Sequence, residues 1–284
     1  MDSSKFLITG ASGQLGTALK AKYPDARTVD AEELDISSQE SINNFDWNGI
    51  TTVLNAAAYT NVDGAETSEG RMAAWKVNAN GAANLALATA ERDITLVHIS
   101  TEYIFDGSKS PHAEDEPPTP LSSYGASKAA GDVAVKLVPK HYIFRTSWLI
   151  GEGKNFVRTM LELGKNGVTP KVVNDQTGRL TFAAELVGAI DHLLSNKAPF
   201  GTYNVTNDGD TVSWADITRE IFRLAGFSQQ VTDISTQEYF QDKPEAARRP
   251  LQSALDLSKI KATGFNPKDW HQDLEDYIKK ELAK

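Results

Sequence analysis

The chain has 284 residues and a formal net charge of -9, with 40% hydrophobic and 24% charged residues. This length allows one large domain or a domain with an additional lobe, and the composition is ordinary for a globular protein. The negative charge gives no general attraction to nucleic acid or to an anionic membrane, so local groups such as helix N-termini, Arg or Lys would have to hold an anionic ligand. Cysteine is absent, which excludes disulfides, thiolate metal sites and a Cys nucleophile and is compatible with a reducing cytosol.

The sequence also lacks the signals of a membrane or zinc protein. It contains no apolar run of membrane-spanning length, and residues 1–4 lack the basic start of a signal peptide. Its five histidines are scattered without the spacing of a zinc site. We therefore expect a cytoplasmic protein with no membrane partner, no nucleic-acid partner and no metal ligand that can be named.

A glycine-rich turn follows the first predicted strand. Residues 5–9 are β-prone and end in Gly10-x-x-Gly13-x-x-Gly16, after which a helical pattern runs to Tyr23. Strand, glycine turn and helix in this order form the context of a dinucleotide-binding fingerprint, in which the pyrophosphate lies at the helix N-terminus. The spacing differs from the commoner Gly-x-Gly-x-x-Gly, and the alternative is a tight turn without a ligand. The position directly after the first strand favours cofactor binding.

An acidic residue ends the second predicted strand, residues 26–30. Asp30 lies twenty positions after Gly10, where a carboxylate could bond the adenosine ribose hydroxyls. With Glu32 and Glu33 nearby, the local charge favours NAD over its 2′-phosphorylated form. A solvated acidic loop explains the same residues equally well.

Strands and helices continue to alternate up to residue 150. Residues 51–58 form an apolar run that ends in small side chains, as expected of a strand buried on both faces beside a ligand. A helical pattern through Trp75 and Val77 precedes a second helix that ends at Glu91. Residues 94–100 form another buried strand, and Thr101 follows at its C-terminal end, where open α/β sheets place ligands. The sequence predicts an α/β fold with a Rossmann-like, doubly wound parallel sheet.

Tyr124 and Lys128 lie four residues apart at the start of a helix predicted for residues 125–138. This spacing puts the phenol and the ammonium on one helix face, one turn apart. A cation beside the phenol is expected to lower the pKa of Tyr124, so that the pair could pass a proton to a developing alkoxide. Taken alone, the pattern more often belongs to a Tyr and a Lys that merely occupy a helix surface.

The chain after residue 150 predicts a smaller α/β lobe. Helical patterns cover residues 156–164, 182–194, 214–225 and 270–282, and β-prone runs cover residues 171–174 and 201–206. Arg249 follows another arginine in this acidic chain, and a guanidinium binds phosphate oxygens as a fork. It is thus a candidate for the diphosphate of a nucleotide sugar, with a surface arginine paired to Glu245 or free in solvent as the alternative.

These motifs together resemble the extended short-chain dehydrogenase/reductase superfamily and, within it, the dTDP-4-dehydrorhamnose reductase family. The resemblance runs from about residue 5 to the C-terminus. The similar strings, besides the glycine turn and the Tyr124-x-x-x-Lys128 pair, are Asn55-Ala56-Ala57-Ala58, Thr60-Asn61-Val62-Asp63-Gly64-Ala65-Glu66, Ser100-Thr101-Glu102-Tyr103-Ile104-Phe105-Asp106-Gly107, Phe144-Arg145-Thr146-Ser147-Trp148, Asn174-Asp175-Gln176-Thr177-Gly178 and Arg249-Pro250-x-x-Ser253-x-Leu255.

The resemblance implies a role for each matching residue. Thr101, Tyr124 and Lys128 would be catalytic: Tyr124 protonates the substrate oxygen, Lys128 tunes the phenol and holds the nicotinamide ribose, and Thr101 binds the carbonyl. The cofactor would contact Tyr124 and Lys128. It would also contact Gly10, Gly13, Gln14, Leu15, Asp30, Asp35, Ile36, Ala58, Tyr59, Thr60 and Ile99. The substrate would contact Thr101, Glu102, Trp148 and Arg249. Many relatives carry Asp where this chain has Glu102.

The implied reaction is NAD(P)H-dependent reduction of the 4-keto group of dTDP-4-dehydro-β-L-rhamnose to dTDP-β-L-rhamnose, the last step of dTDP-L-rhamnose biosynthesis for cell-envelope polysaccharide. NADPH is the expected cofactor and NADH is expected to be accepted, although the acidity around Asp30 alone favours NADH. The resemblance leaves open Mg²⁺ at a dimer interface. The alternatives are another nucleotide-sugar reductase or epimerase of this fold, or a non-catalytic dinucleotide-binding subunit similar to the regulatory subunit of methionine adenosyltransferase.

The expected domain organisation follows that of extended relatives. Residues 1–149 would bind NAD(P), residues 171–197 would return to this domain, and residues 150–170 and 198–284 would form the substrate lobe. The resemblance is compatible with a homodimer and with fusion to, or association with, another enzyme of the same pathway.

Overall fold

The computed structural model describes residues 1–243 and 245–284. Its strands are, in chain order, β1 (Phe6–Thr9), β2 (Arg27–Val29), β3 (Thr52–Asn55), β4 (Thr95–Thr101), β5 (His141–Thr146), β6 (Leu149–Ile150), β7 (Lys171–Val173), β8 (Thr177–Gly178), β9 (Thr181–Phe182), β10 (Gly201–Asn204), β11 (Val212–Ser213) and β12 (Thr232–Ile234). Its α-helices are α1 (Gln14–Lys22), α2 (Gln39–Asn44), α3 (Ser68–Ala74), α4 (Ala82–Glu91), α5 (Ser123–Lys136), α6 (Phe156–Lys165), α7 (Ala183–Ser195), α8 (Trp214–Ala225), α9 (Thr236–Phe240), α10 (Ser258–Ala262) and α11 (Trp270–Leu282).

A six-stranded sheet in the order β10-β5-β4-β3-β1-β2 organises the larger part of the molecule. Every neighbouring pair in it is parallel, which confirms the predicted doubly wound fold. From β1 the chain moves to β2 on one side and then returns to β3 on the other. The connections that leave β1 and β3 therefore diverge and open a crevice at the carboxyl ends of these strands.

Alternate residues of each central strand enter separate cores. In β1, Phe6 and Ile8 pack on one face with Leu186 and Ile190 of α7, and α1 lies beside them. Leu7 points to the other face, where Leu85 of α4 and Val135 of α5 cover the sheet. This period of two follows from strand geometry, and burial on both faces explains the continuous apolar runs in the sequence.

The two helices predicted around Asn78 form one continuous rod. A π-helical segment, Trp75–Gly81, joins α3 directly to α4. The Asn78 side chain accepts a bond from the Tyr59 amide at 2.9 Å and donates to the Tyr59 carbonyl and to Ser127 Oγ, each at 3.0 Å. The wider helical turn thus places the Asn78 side-chain amide where it links the segment after β3 to α5. Such π-helical turns are frequent at functional sites.

A third core lies beyond β6, built from α6, α8 and α11 around residues such as Leu161, Ile221 and Trp270. Capping of α8 is reciprocal, because Ser213 Oγ accepts from the Asp216 amide while the Asp216 carboxylate accepts from the Ser213 amide. This arrangement fixes the end of α8 that faces the crevice.

Residues 171–197, predicted to return to the first domain, divide between two parts of the structure. β7 pairs with β12, outside the six-stranded sheet, and only α7 packs on that sheet. Conversely β10, expected in the second lobe, pairs with β5 as the edge of the large sheet. Strands of three or four residues carry too little pattern to reveal their partners, whereas the apolar face of α7 must be buried. The division into cofactor and substrate lobes stays a prediction. In the described parts of the chain, no helix has both the length and the apolar character needed to cross a bilayer.

Candidate active site

The glycine turn after β1 packs directly against the end of β3. Gly10 has φ of 66°, and a Cβ added there would lie 2.6 Å from the Ala57 backbone. Any side chain at this position would be both strained and in collision. The turn therefore leads straight into α1, with Gly13 at its N-cap, and leaves the first amides of that helix facing the crevice.

A cavity of about 360 Å³ lies on the β2 side of this turn. The predicted cofactor residues in its wall are Gly10, Gly13, Asp30, Asp35, Ile36, Ala58 and Tyr59. The Asp30 carboxylate accepts from the Ser12 amide at 3.2 Å and from Ser12 Oγ at 3.1 Å. Its position at the rim is thus set by the glycine turn itself.

A larger cavity of about 670 Å³ continues from the same turn towards β4 and α5. It shares Gly13 and residues 56–58 with the smaller cavity. The other predicted residues that line it are Gln14, Leu15, Thr60, Ile99, Thr101, Glu102, Tyr124, Lys128 and Trp148. The structure thus brings every predicted site residue except Arg249 to two adjoining cavities at the carboxyl edge of the sheet.

Close packing at the start of α5 positions Tyr124. Ser122 Oγ caps the helix by accepting from the Gly125 amide at 3.1 Å, and the Glu66 carboxylate accepts from the Ser123 amide at 2.7 Å. A Cβ on Gly125 would lie 2.1 Å from the Tyr103 carbonyl oxygen, so only glycine allows this approach. As a result the rings of Tyr103 and Tyr124 meet edge to face, with centroids 5.9 Å apart.

Lys128 is buried one helical turn below, where its Nζ donates to the Ile99 carbonyl at 2.5 Å. Burial lowers the pKa of Lys128 to about 8, and the nearby Asp132 carboxylate limits this fall. Asp132 is itself paired with Arg145 at 3.1 Å, in a fully buried ion pair. A chain of alternating charges thus runs from the cleft into the core.

The predicted lowering of the Tyr124 pKa is wrong. Burial raises the pKa of Tyr124 above its ordinary value, the neighbouring Glu102 and Tyr103 add to the rise, and only the Thr101 hydroxyl opposes it. The sequence indicates a cation on the same helix face, but it does not show that the Lys128 ammonium is bonded to Ile99. The phenol is therefore a neutral proton donor at pH 7.

Glu102 is a buried carboxyl group next to Thr101. Its side chain contacts the threonine hydroxyl, with Glu102 Oε2 2.7 Å from Thr101 Oγ1. Burial raises the pKa of Glu102 to about 8, against the effect of hydrogen bonds from Thr101 and two backbone amides. Donors and acceptors for an oxygen-bearing substrate therefore converge from β4 and α5 on one side of the cleft.

Two aromatic residues that sequence reasoning missed complete the cleft. Trp214, at the start of α8, stacks on Trp148 with ring centroids 3.8 Å apart. Tyr103 and Trp214 line both the large cavity and a third cavity of about 370 Å³, so they form the passage between the two. The only sequence signal for Trp214 was its place at a capped helix start, which has no specific meaning by itself.

Arg249 lines the third cavity, on the far side of this passage. Its Nη2 pairs with Asp63 Oδ2 at 2.9 Å and its Nη1 donates to the Ala247 carbonyl at 2.9 Å. Arg249 therefore pairs with Asp63 and not with Glu245, the partner considered from the sequence. Asp63 therefore ties the loop after β3 to the segment before residue 250.

The buried histidines have structural surroundings. His98 Nδ1 lies 3.0 Å from the Asn55 amide nitrogen, and burial together with Lys128 lowers the pKa of His98 well below its usual value. Among the described residues, no three His, Cys, Asp or Glu side chains are grouped so that they could hold a metal ion.

The chain is similar to known nucleotide-sugar reductases. The dTDP-4-dehydrorhamnose reductase of Aggregatibacter actinomycetemcomitans is 37% identical over 96% of this chain and 97% of its own length. The dTDP-4-keto-6-deoxy-D-glucose reductase of Streptomyces niveus is 38% identical over 79% and 80% of the two chains. A crystal structure of dTDP-4-dehydrorhamnose reductase from Bacillus anthracis, in complex with NADP, superimposes with a TM-score of 0.87 at 36% identity over 97% of both chains. The model of the RmlD substrate binding domain matches residues 4–283, and the chain belongs to this family.

Proposed function

We propose that the chain is an NAD(P)H-dependent oxidoreductase that reduces the 4-keto group of dTDP-4-dehydro-β-L-rhamnose to dTDP-β-L-rhamnose, the last step of dTDP-L-rhamnose biosynthesis. The observation that carries this proposal is the meeting of Thr101, Tyr124 and Lys128 in one cavity that continues to the Gly10 turn. Near-full-length similarity to reductases of this name supports it.

The residues around the glycine turn fit a dinucleotide. The absence of a side chain at Gly10 lets the turn pack against the Ala57 backbone, and the start of α1 then offers free amides to a pyrophosphate. Gly13 and Leu15 would face the phosphates, while Asp30, Asp35 and Ile36 would surround the adenosine. Gln14 would act indirectly, because its Oε1 already accepts from the Gly151 amide at 2.9 Å. When bound, the reduced nicotinamide supplies a hydride.

We assign the cofactor preference to NADPH, with NADH also accepted. The Bacillus anthracis relative was crystallised with NADP. Asp30 is held by Ser12 rather than free, which reduces its demand for a ribose hydroxyl as a partner.

Tyr124 would deliver the proton that the reduction requires. As hydride adds to the ketone carbon, the oxygen becomes an alkoxide, and transfer of the phenolic proton gives the alcohol and a transient phenolate. The buried ammonium of Lys128, below on the same helix, would stabilise that phenolate. Thr101 would hydrogen-bond the same oxygen, and Glu102 and Trp148 would line the sugar.

The passage between Tyr103 and Trp214 would lead the nucleotide away from the reacting sugar. Arg249 and Lys171 supply positive charge to the third cavity, which Phe156 and Tyr239 line with aromatic surface. This combination suits a diphosphate linked to a pyrimidine base. Arg249 would bind phosphate while retaining its Asp63 pair, because a guanidinium has five donors.

The decisive assay supplies a panel of keto-sugar nucleotides and follows oxidation of NADPH and NADH by nicotinamide absorbance. We expect the highest kcat/KM with dTDP-4-dehydro-β-L-rhamnose and product that co-elutes with dTDP-β-L-rhamnose. Lack of turnover with this substrate, alongside turnover of another keto sugar, would contradict the specific assignment.

A second candidate function is reduction of a different dTDP-4-keto sugar. Similarity to the Streptomyces niveus enzyme favours it. Glu102 also favours it, because its side chain at the sugar side of the cleft is longer than the Asp side chain of many relatives. The same panel separates the two candidates. Binding of dinucleotide without turnover of any keto sugar would instead identify a non-catalytic binding subunit, which an intact Thr101, Tyr124 and Lys128 set argues against.

A further inference from the structure

Glu102 is a carboxyl group buried without a counter-ion. Its residue is only 3% exposed, and none of the ion pairs formed by the described residues includes it. Its one side-chain hydrogen-bond partner is Thr101, at 2.7 Å. An ionised carboxylate in such a place would carry a large desolvation cost, whereas a protonated one would not.

The charged groups around Glu102 do not compensate this cost. On α5, Lys128 donates to the Ile99 carbonyl, and Asp132 lies deeper and pairs with Arg145. On the opposite side Arg249 is held by Asp63. The remaining titratable neighbours, Tyr103 and Tyr124, are phenols whose own pKa values are raised, in part by Glu102. Both nearby cations are thus committed elsewhere, and the pKa of about 8 at Glu102 follows from burial.

The hydrogen bonds of Thr101 show what a proton on Glu102 would do. A hydroxyl group has one proton and accepts through two lone pairs. The Tyr103 amide already donates to Thr101 Oγ1 at 3.2 Å. If Glu102 is ionised it can only accept, so Thr101 must give its proton to the carboxylate and has none for a ligand. If Glu102 is protonated, its O–H fills the second lone pair, and the threonine proton must point elsewhere, towards the cleft, where the Tyr124 phenol and a substrate oxygen can accept it.

We propose that Glu102 is a positioning residue that remains protonated and, by donating its proton to Thr101 Oγ1, directs the Thr101 hydroxyl proton at the substrate carbonyl oxygen. This inference rests on the proposed function, because it needs a carbonyl oxygen in the cleft. No proton is consumed at Glu102. The carboxyl acts through Thr101, so that the developing alkoxide meets a second oriented donor beside Tyr124.

Infrared difference spectroscopy tests the proton directly. The spectrum of the cofactor-loaded wild type minus that of Glu102→Gln, recorded across pH 6 to 10, isolates this one carboxyl group. We expect the C=O stretch of a protonated carboxylic acid at pH 7 and its replacement by carboxylate bands around pH 8. A carboxylate spectrum at pH 7 would overturn the proposal.

A double-mutant cycle tests the action through Thr101. In the wild-type background, Glu102→Leu should lower kcat/KM by about tenfold, the size of one oriented hydrogen bond. In a Thr101→Val background the same change should cost less than about twofold, because the hydroxyl to be oriented is gone. Glu102→Gln should retain a larger share of kcat/KM than Glu102→Leu, since its amide also donates. Equal losses in the two backgrounds would contradict the proposal.

The pH dependence of kcat alone would not show whether Glu102 is protonated, because Lys128 loses its proton in the same pH range. The two experiments together separate failure of this inference from failure of the proposed function. Turnover of a keto sugar without a carboxylic-acid band at pH 7 would refute the inference alone. A band with no turnover on any keto sugar would refute the function and, with it, the role of Thr101 as donor.

Discussion

The two ends of the cleft hold their charged groups in opposite ways. At the β4–α5 end, Glu102 and Lys128 are buried, and burial moves the pKa of each to about 8. At the β2 end, Asp30 and Asp35 are partly exposed, and the backbone amides and hydroxyls of Ser12 and Ser37 hold their carboxylates. One end of the cleft is therefore tuned by desolvation for proton chemistry, whereas the other is arranged for binding by hydrogen bonds to its carboxylates.

Removal of the proton donor should give the largest effect at the tuned end. Tyr124→Phe deletes the phenolic oxygen, and we expect kcat to fall by about 10²–10⁴-fold, the range for loss of a general acid. The dissociation constant for dinucleotide, measured by fluorescence quenching, should change by less than about threefold.

Tyr142→Phe is the matched control for this substitution. Tyr142 lies in β5, and its hydroxyl donates to the Ala198 carbonyl at 2.5 Å, near the opposite edge of the sheet. We expect its kcat to stay within about twofold of wild type. Comparable losses in both variants would mean that Tyr124 acts through the fold rather than through the reaction.

The buried ion pair beneath the tuned end should be the next most sensitive feature. Asp132→Asn leaves Arg145 as a buried charge without its partner, which costs about 3–5 kcal/mol of unfolding free energy. Urea denaturation measures this loss. The control Asp276→Asn, at an exposed position of α11, should change stability by less than about 0.5 kcal/mol. Similar stabilities of the two variants would show that Arg145 finds another partner.

The sequence predicts the binding end of the cleft better than the tuned end. The glycine turn, Asp30 and the small residues after β3 are read from local pattern, and the strand order places them together. Tyr124 and Lys128 were also recognisable, but the direction of the Tyr124 pKa shift was not, because burial is a property of packing. Trp214 and the β7–β12 pairing escaped prediction for the same reason, since nothing near them in sequence specifies their distant partners.

The Glu102 carboxyl should also make stability depend on pH. Its pKa rises from 4.5 to about 8 on folding, so the native state binds more protons than the unfolded state between these values. Unfolding free energy should therefore fall as pH rises from 4.5 to 8, by up to about 1.4 kcal/mol per pH unit. Below and above this window the contribution should be constant.

Glu102→Gln removes this contribution, and the phenols whose pKa values Glu102 raises, Tyr103 and Tyr124, titrate above this pH window. Urea denaturation at several pH values measures the unfolding free energy of both proteins. The value for wild type minus the value for the variant should decrease from pH 5 to pH 8. A difference that does not change with pH would indicate that water reaches Glu102.

The smallest effect is expected at the binding end. Asp30→Asn removes a negative charge at the rim of the β2-side cavity and should shift the Kd ratio towards NADPH over NADH by about tenfold, or ~1.4 kcal/mol. The control is Asp25→Asn. Asp25 lies before the N-terminal end of β2, away from the cavity rim, so the loss of its charge should leave the Kd ratio unchanged. Equal ratios for both variants would show that Asp30 does not face the 2′ position.

Deuterium transfer shows whether this cleft delivers hydride from a reduced dinucleotide to the 4-keto carbon of the sugar. The enzyme is incubated with dTDP-4-dehydro-β-L-rhamnose and reduced dinucleotide deuterated at nicotinamide C4, using each stereoisomer in turn, and the sugar product is analysed by mass spectrometry and NMR. For one stereoisomer, we predict dTDP-β-L-rhamnose with one deuterium at C4 and none elsewhere. Absence of dTDP-β-L-rhamnose, or product without deuterium at C4 from either stereoisomer, would contradict the assignment of this cleft to keto-sugar reduction.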